Sequence, residues 1–282
     1  MAQYYFLVSS LVELSLDEGF QKHPYPVFKD FVREELSGVD YTDLRKCFLL
    51  NDVSNFTAVL KSDSAEESVV FLEPAYYEKE TLVEGLIDTE TLFPFLADFI
   101  WDYRAERRLY PGISAENELL LRMMEYISAG DEPAVSGFPG QYLEFEMHLR
   151  NLTTALFSRA AGDSWTEKII PFDFFSQRIA ESQAADFGLG GDLGVLSDLI
   201  DLHDGSTPLE IEKAITAARW NWLDEAVGYN LFSREAVFAY AVKIADVERW
   251  LTLTPEEGRV KLDELLEQLH QNIKKITREE NS

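Results

Sequence analysis

The sequence predicts an all-α protein of about a dozen helices of ordinary length. Apolar residues recur at spacings of three and four through most of the chain, which is the period of a helix with one buried face. Capping residues and breakers fall between those runs. Strand-like runs are few: "YYFLVSSLV" reads as helix, and "ESVVFLEP" is left open between helix and strand.

Taken in order, "YPVFKDFVREEL" places Val27, Phe28, Phe31, Val32 and Leu36 on one broad face. "YTDLRKCFLLNDVSNFTAVLKS" offers Leu44, Cys47 and Phe48, then a break near Asn51-Asp52, then Phe56, Val59 and Leu60. In "DTETLFPFLADFIWDYRAERRL" Pro94 suits a first turn or a boundary. "SAENELLLRMMEYISAG" opens on Ser114 as N-cap and closes on Gly130. A Pro/Gly linker follows over 131–140, and the helical period returns from Phe138 to Ala161. "FGLGGDLG" (187–194) and "HDGSTP" read as loops; helices are expected over Leu209–Tyr229, Ser233–Leu253 and Pro255–Ile276. The two Pro/Gly regions, 131–140 and 187–208, divide the chain into blocks at 1–130, 131–186 and 187–282.

A net charge of −26 with a pI near 4.4 repels phosphate backbones and argues against nucleic-acid binding. No apolar run reaches the roughly 18 residues of a membrane span, and the N-terminal run lacks the basic start and cleavage site of a signal peptide. The single cysteine, Cys47, fits a reducing compartment, so a cytoplasmic protein is expected. Asn55 and Asn151 stand in N-x-T sequons that carry no meaning without secretion.

Motifs for chemistry are scarce. His23, His148, His203 and His270 show no metal-ligand spacing, and there is no H-E-x-x-H, C-x-x-C or G-x-S-x-G. "GLGGDLG" lacks the lysine and hydroxyl of a phosphate loop. With 51 Asp and Glu, neighbouring carboxylates carry no information about acid–base catalysis. No enzyme activity, cofactor or metal is expected.

Two helices share a build. Arg150-Asn151-Leu152 follows Glu146 at i−4, and Arg249-Trp250-Leu251 follows Asp246 at i−3. Such spacing allows local ion pairs, and the likeness suggests an internal repeat. Glu146, Arg150, Asp246, Glu248 and Arg249 are therefore candidates for holding lobes together. Arg104, Arg107 and Arg108 of "RAERR" form the densest basic cluster and are candidates for contact with an acidic partner.

"EIEKAITAARWNWLDEAVGYNLFSREAVFAYAVKIADVERWLTL", with Ala239-Tyr240 and Glu248-Arg249, resembles the C-terminal repeat of the central-stalk C subunit of V-type and A-type ATP synthases, known as the d subunit in eukaryotic V-ATPases. "FEMHLRNLTTALFSRAAG" resembles the central helix of that family, and "ELSGVDYTDLRKCFLLNDVSNFTAVLKS" its N-terminal segment. The likeness is closer still to a divergent family of bacterial proteins encoded among V-type ATPase subunits, through "YYFLV", Arg219-Trp220, Tyr240 and Arg249-Trp250. Trp250 departs from the pattern, standing where the stalk family has asparagine. The resemblance implies three pseudo-repeated helical lobes in a funnel-like, non-catalytic adapter. Its implied partners are the central shaft subunits and the membrane rotor ring of a V-type ATPase, at the inner face of the membrane, in proton or sodium transport. Two rivals are a helical enzyme with a site near 187–208, built on Asp192, His203 or Asp204, and an unrelated helical interaction scaffold.

Overall fold

A computed structural model describes residues 4–14, 24–61, 70–129, 135–202 and 207–251. Among them every regular element is helical, and there is no strand. The helices are α1 Tyr5–Ser10, α2 Pro24–Glu35, α3 Gly38–Lys46, α4 Leu49–Lys61, α5 Lys79–Gly85, α6 Pro94–Arg104, α7 Ala115–Ser128, α8 Gly137–Ala160, α9 Phe174–Glu181, α10 Ser197–Ile200, α11 Pro208–Val227 and α12 Arg234–Leu251. Three short 3-10 turns punctuate them. The helix expected over Pro255–Ile276 lies outside the described residues.

Local chemistry sets the boundaries. Ser114 caps α7 by accepting the Asn117 N–H, and Pro94 and Pro208 open α6 and α11, where the missing N–H costs nothing. Asp173 with Ser176, and Thr207 with Glu210, form reciprocal capping boxes at α9 and α11. The "FGLGGDLG" stretch is a packed turn. Gly188 adopts φ +69°, and a Cβ there would lie 2.6 Å from Arg178 Nη2, which donates to the Gly188 carbonyl.

One open reading closes and one expectation changes. "ESVVFLEP" is not a strand where described: residues 70–73 run outside any regular element. The break in the 41–62 stretch falls at Cys47-Phe48, not at Asn51-Asp52. Those two polar residues sit inside α4 because their side chains hold a distant segment, described below.

The buried side chains form two cores. One joins α1–α3 to α9, α11 and α12 through residues such as Leu7, Val32, Leu223 and Phe238. The other joins α4–α7 through Phe56, Phe99, Leu119 and Met123. The N-terminal helices therefore pack with the C-terminal ones rather than with those that follow them. The 24-residue α8 serves both cores: Phe145, Leu149 and Leu152 enter the first, Leu143 and Met147 the second. A helix apolar on more than one side has to be covered on more than one side.

Candidate functional site

A partly buried polar cluster is centred on Arg219 of α11. Its guanidinium grips both Glu146 oxygens on α8, and its Nη1 donates to Asp246 Oδ1 on α12 at 2.9 Å. The Trp220 indole N–H donates to the other Asp246 oxygen at 3.1 Å. Burial disfavours the charge on Arg219, but the Glu146 and Asp246 carboxylates outweigh it and keep the group firmly protonated. Burial also raises the Asp246 carboxyl, against the pull of Arg219. A bidentate guanidinium suits such a site, since it satisfies several acceptors in one plane. Taking away one partner of a buried pair of this kind costs about 3–5 kcal/mol, because a charge is left uncompensated.

This cluster forms part of the wall of a cavity of about 600 Å³, which Tyr25, Cys47, Tyr142 and Glu248 also line. Burial pushes the Cys47 thiol and the Tyr142 phenol up, so neither offers an anionic nucleophile at neutral pH. Four carboxylates, Glu73, Glu146, Asp246 and Glu248, line the cavity with two guanidinium groups, Arg219 and Arg249.

The structure regroups the candidate residues. Glu146 and Arg150 do not pair; Arg150 donates to Asn117 Oδ1 of α7 at 2.9 Å, and its Nη1 is buried with no hydrogen-bond partner among the described residues. Burial lowers the Arg150 pKa, against the pull of Glu116. Asp246 likewise joins Arg219 in place of Arg249, which reaches Glu212 on α11 at 3.0 Å. Glu248 accepts the Tyr25 backbone N–H at 3.3 Å. Trp250 keeps one polar contact, donating to Thr216 Oγ1 at 3.3 Å. Of the basic cluster, Arg108 is committed inward to Glu118 and the Ile113 carbonyl, and Arg104 donates to the Leu86 carbonyl. Arg107 is exposed.

Two buried asparagines escaped the spacing rules. Asn55 on α4 accepts the Leu72 N–H at 2.6 Å and donates to the Leu72 carbonyl at 2.9 Å. Asn151 on α8 does the same to Ile170, at 3.1 and 2.8 Å. Each amide thus mimics a backbone partner for a returning segment. Residues three and four positions before the asparagines extend the grip. Asn51 donates to the Pro74 carbonyl, Asp52 accepts the Tyr76 and Tyr77 N–H groups, and His148 bonds Asp173 at 2.7 Å. The internal likeness therefore relates "NDVSNFT" to "MHLRNLT". The readable signal was the pair of N-x-T triplets.

The region proposed for an enzyme is described only in part, as His203 and Asp204 lie outside the described residues. Asp192 lines a cavity of about 420 Å³ with Glu144 and His148. Glu144, His148 and Asp173 offer ligand atoms within 4.8 Å of one another. His148 is packed against the Phe172 and Phe175 rings and engaged by Asp173, whose second oxygen caps α9. That arrangement is complete as a structural latch.

The fold and its buried polar groups define an all-helical protein whose internal chemistry ties helices and returning segments together. The chain belongs to the family described as "Protein of unknown function (DUF2764)", whose model matches residues 1–273. No curated protein and no solved structure matches it. The family match overturns both resemblances, to the stalk family of V-type and A-type ATP synthases and to the bacterial family encoded among V-type ATPase subunits: in Arg150-Asn151-Leu152, one of the patterns behind them, Asn151 holds the returning Ile170 segment.

Proposed function

We propose that this protein is a non-catalytic helical adapter that joins protein partners. One observation carries the reading: each core leaves large apolar side chains in solvent, and the two exposed groups differ in chemistry. Beside the first core Phe6 is 75% exposed and Tyr229 fully so. Beside the second, Ile87 and Trp101 are 86% and 71% exposed, near Arg104 and Arg107. Aromatic residues are enriched at protein interfaces, and exposed apolar patches mark interaction sites. Among the described residues no helix is long and apolar enough to cross a membrane.

The assembly to test first is the central stalk of a rotary ATPase, between the rotor ring and the shaft. That placement is the one expected for a non-catalytic adapter at the sequence level, and the purification below decides it. The tagged protein, expressed at its native level, should retain shaft and ring subunits through purification from detergent-solubilised membranes. Failure to retain any of them ends the ATPase placement.

A helical enzyme is the second reading, favoured only by the cavity that Asp192 shares with Glu144 and His148. Titration with Zn²⁺ or Mn²⁺ tests it: tight one-to-one binding lost in His148→Ala would favour that reading, and no binding would remove its one support.

A further inference from the structure

The exposed apolar residues beside the first core lie on two segments that touch, α1 and the turn between α11 and α12. The turn between α11 and α12 carries Tyr229, Leu231 and Phe232, at 106%, 59% and 37% exposure. The α1 segment is tied to it, since the Tyr4 N–H donates to the Phe232 carbonyl at 2.7 Å and the Tyr5 ring lies 4.7 Å from the Phe232 ring. Phe6, next to Tyr5 on α1, is exposed too, as are Ser9, Ser10 and Asn230. None of these residues carries a charge, in a chain where 27% of residues do.

The surroundings are acidic. Asp40, Asp43 and Glu235 gather around Arg234, immediately after the turn. Asp224 and Glu225 are exposed at the end of α11, just before it. Lys46 and Lys243 are each engaged by one of these carboxylates, so negative charge is in excess. An anionic lipid surface is repelled by such a rim. An apolar segment flanked by basic residues matches both the centre and the rim.

We propose that the surface formed by α1 and the α11–α12 turn docks a partner protein through an apolar helical segment flanked by lysine or arginine. The proposal rests on the adapter reading and gives one of the partners its chemistry. The turn supplies aromatic anchors, and the rim selects for positive charge and against a second copy of this acidic chain.

The test uses the full chain and a short amphipathic peptide of leucine and lysine, with a leucine–glutamate peptide of the same pattern, followed by titration calorimetry. A triple variant, Phe6→Ser with Tyr229→Ser and Leu231→Ser, changes no charge. The lysine peptide should bind the wild type, and the triple variant should weaken it by about tenfold or more, the effect expected of aromatic anchors. Tyr229→Ser alone, at a fully exposed side chain, should weaken it in the same direction, with helix content and melting unchanged. Equal binding by the triple variant would mean that bulk acidity alone attracts the peptide, and the proposal falls. It falls also if neither peptide binds or if both bind equally. Sedimentation showing a wild-type dimer that the triple variant abolishes would assign the surface to a second copy. Binding to neutral phosphatidylcholine vesicles, lost in the variant, would assign it to lipid. Failure of the ATPase pull-down with the peptide result intact leaves this surface standing with another partner. A failed peptide result with a successful pull-down removes only this surface.

Discussion

The two asparagine clamps are built on the same plan and stand in different surroundings. Asn151 and both Ile170 groups it holds are buried, and Ile170 is 2% exposed. Asn55 is equally buried, but Leu72 is 43% exposed and its bonds to Asn55 are only partly buried. The supporting latches differ more. Asp52 holds backbone N–H groups from within the protein, whereas His148 meets a half-buried carboxylate that is itself a helix cap. A shared hydrogen-bond pattern therefore does not imply shared energetics; burial of the far partner decides.

Between the two clamps the larger expected effect is that of Asn151→Ala. It leaves a buried N–H and C=O without partners, a loss of about 2–4 kcal/mol from two bonds and the desolvation left behind. Asn55→Ala should cost about half as much, since its bonds to Leu72 are only partly buried. Urea unfolding of both variants measures the gap, and equal losses would break the distinction. The double variant should be additive to within about 0.5 kcal/mol, because the clamps share no partner.

A pH series sharpens the contrast. Burial pushes the Asp52 carboxyl up to about 7, against the Tyr77 and Tyr76 N–H groups that favour its charge. The unfolded value is about 3.9, so between those values the folded protein holds the extra proton. Stability should then fall as pH rises through that window. Thermal melts of wild type and Asp52→Asn from about pH 4 to 7 should diverge, with the variant lacking this slope. Burial raises Asp173 too, but His148 and Ser176 outweigh it and lower its pKa. Its contribution is present above about 3.9 and is lost as pH falls below it. Asp173→Ala, the smallest effect, should cost about 1 kcal/mol at neutral pH, the usual worth of an N-cap. A slope of the same sign at both clamps would end the comparison.

Helix positions and caps were legible because they depend on neighbours: Ser114, Pro94 and Ser233 act within a turn. The break at Asn51-Asp52 was misplaced because a polar pair inside a helix reads locally as a breaker, when its partners lie more than twenty residues on. The Arg219 cluster was illegible for the same reason. Spacing rules see i+3 and i+4, whereas Glu146 and Asp246 lie 73 and 27 residues from Arg219 in sequence. Arg150 and Arg249 were paired with the nearest carboxylate, and the fold supplied others. The aromatic surface was hidden because alternation cannot tell an exposed Tyr229 from a buried one.

Asn55 and Asn151 stand in intact glycosylation sequons, and both amide groups are spent inside the protein. A sugar on either nitrogen would remove a donor and place a bulky polar chain where Leu72 or Ile170 backbone lies. Folding and glycan attachment at these positions exclude one another. Producing this protein through a eukaryotic secretory route would therefore set the oligosaccharide machinery against the chain, with modified molecules unable to close their clamps.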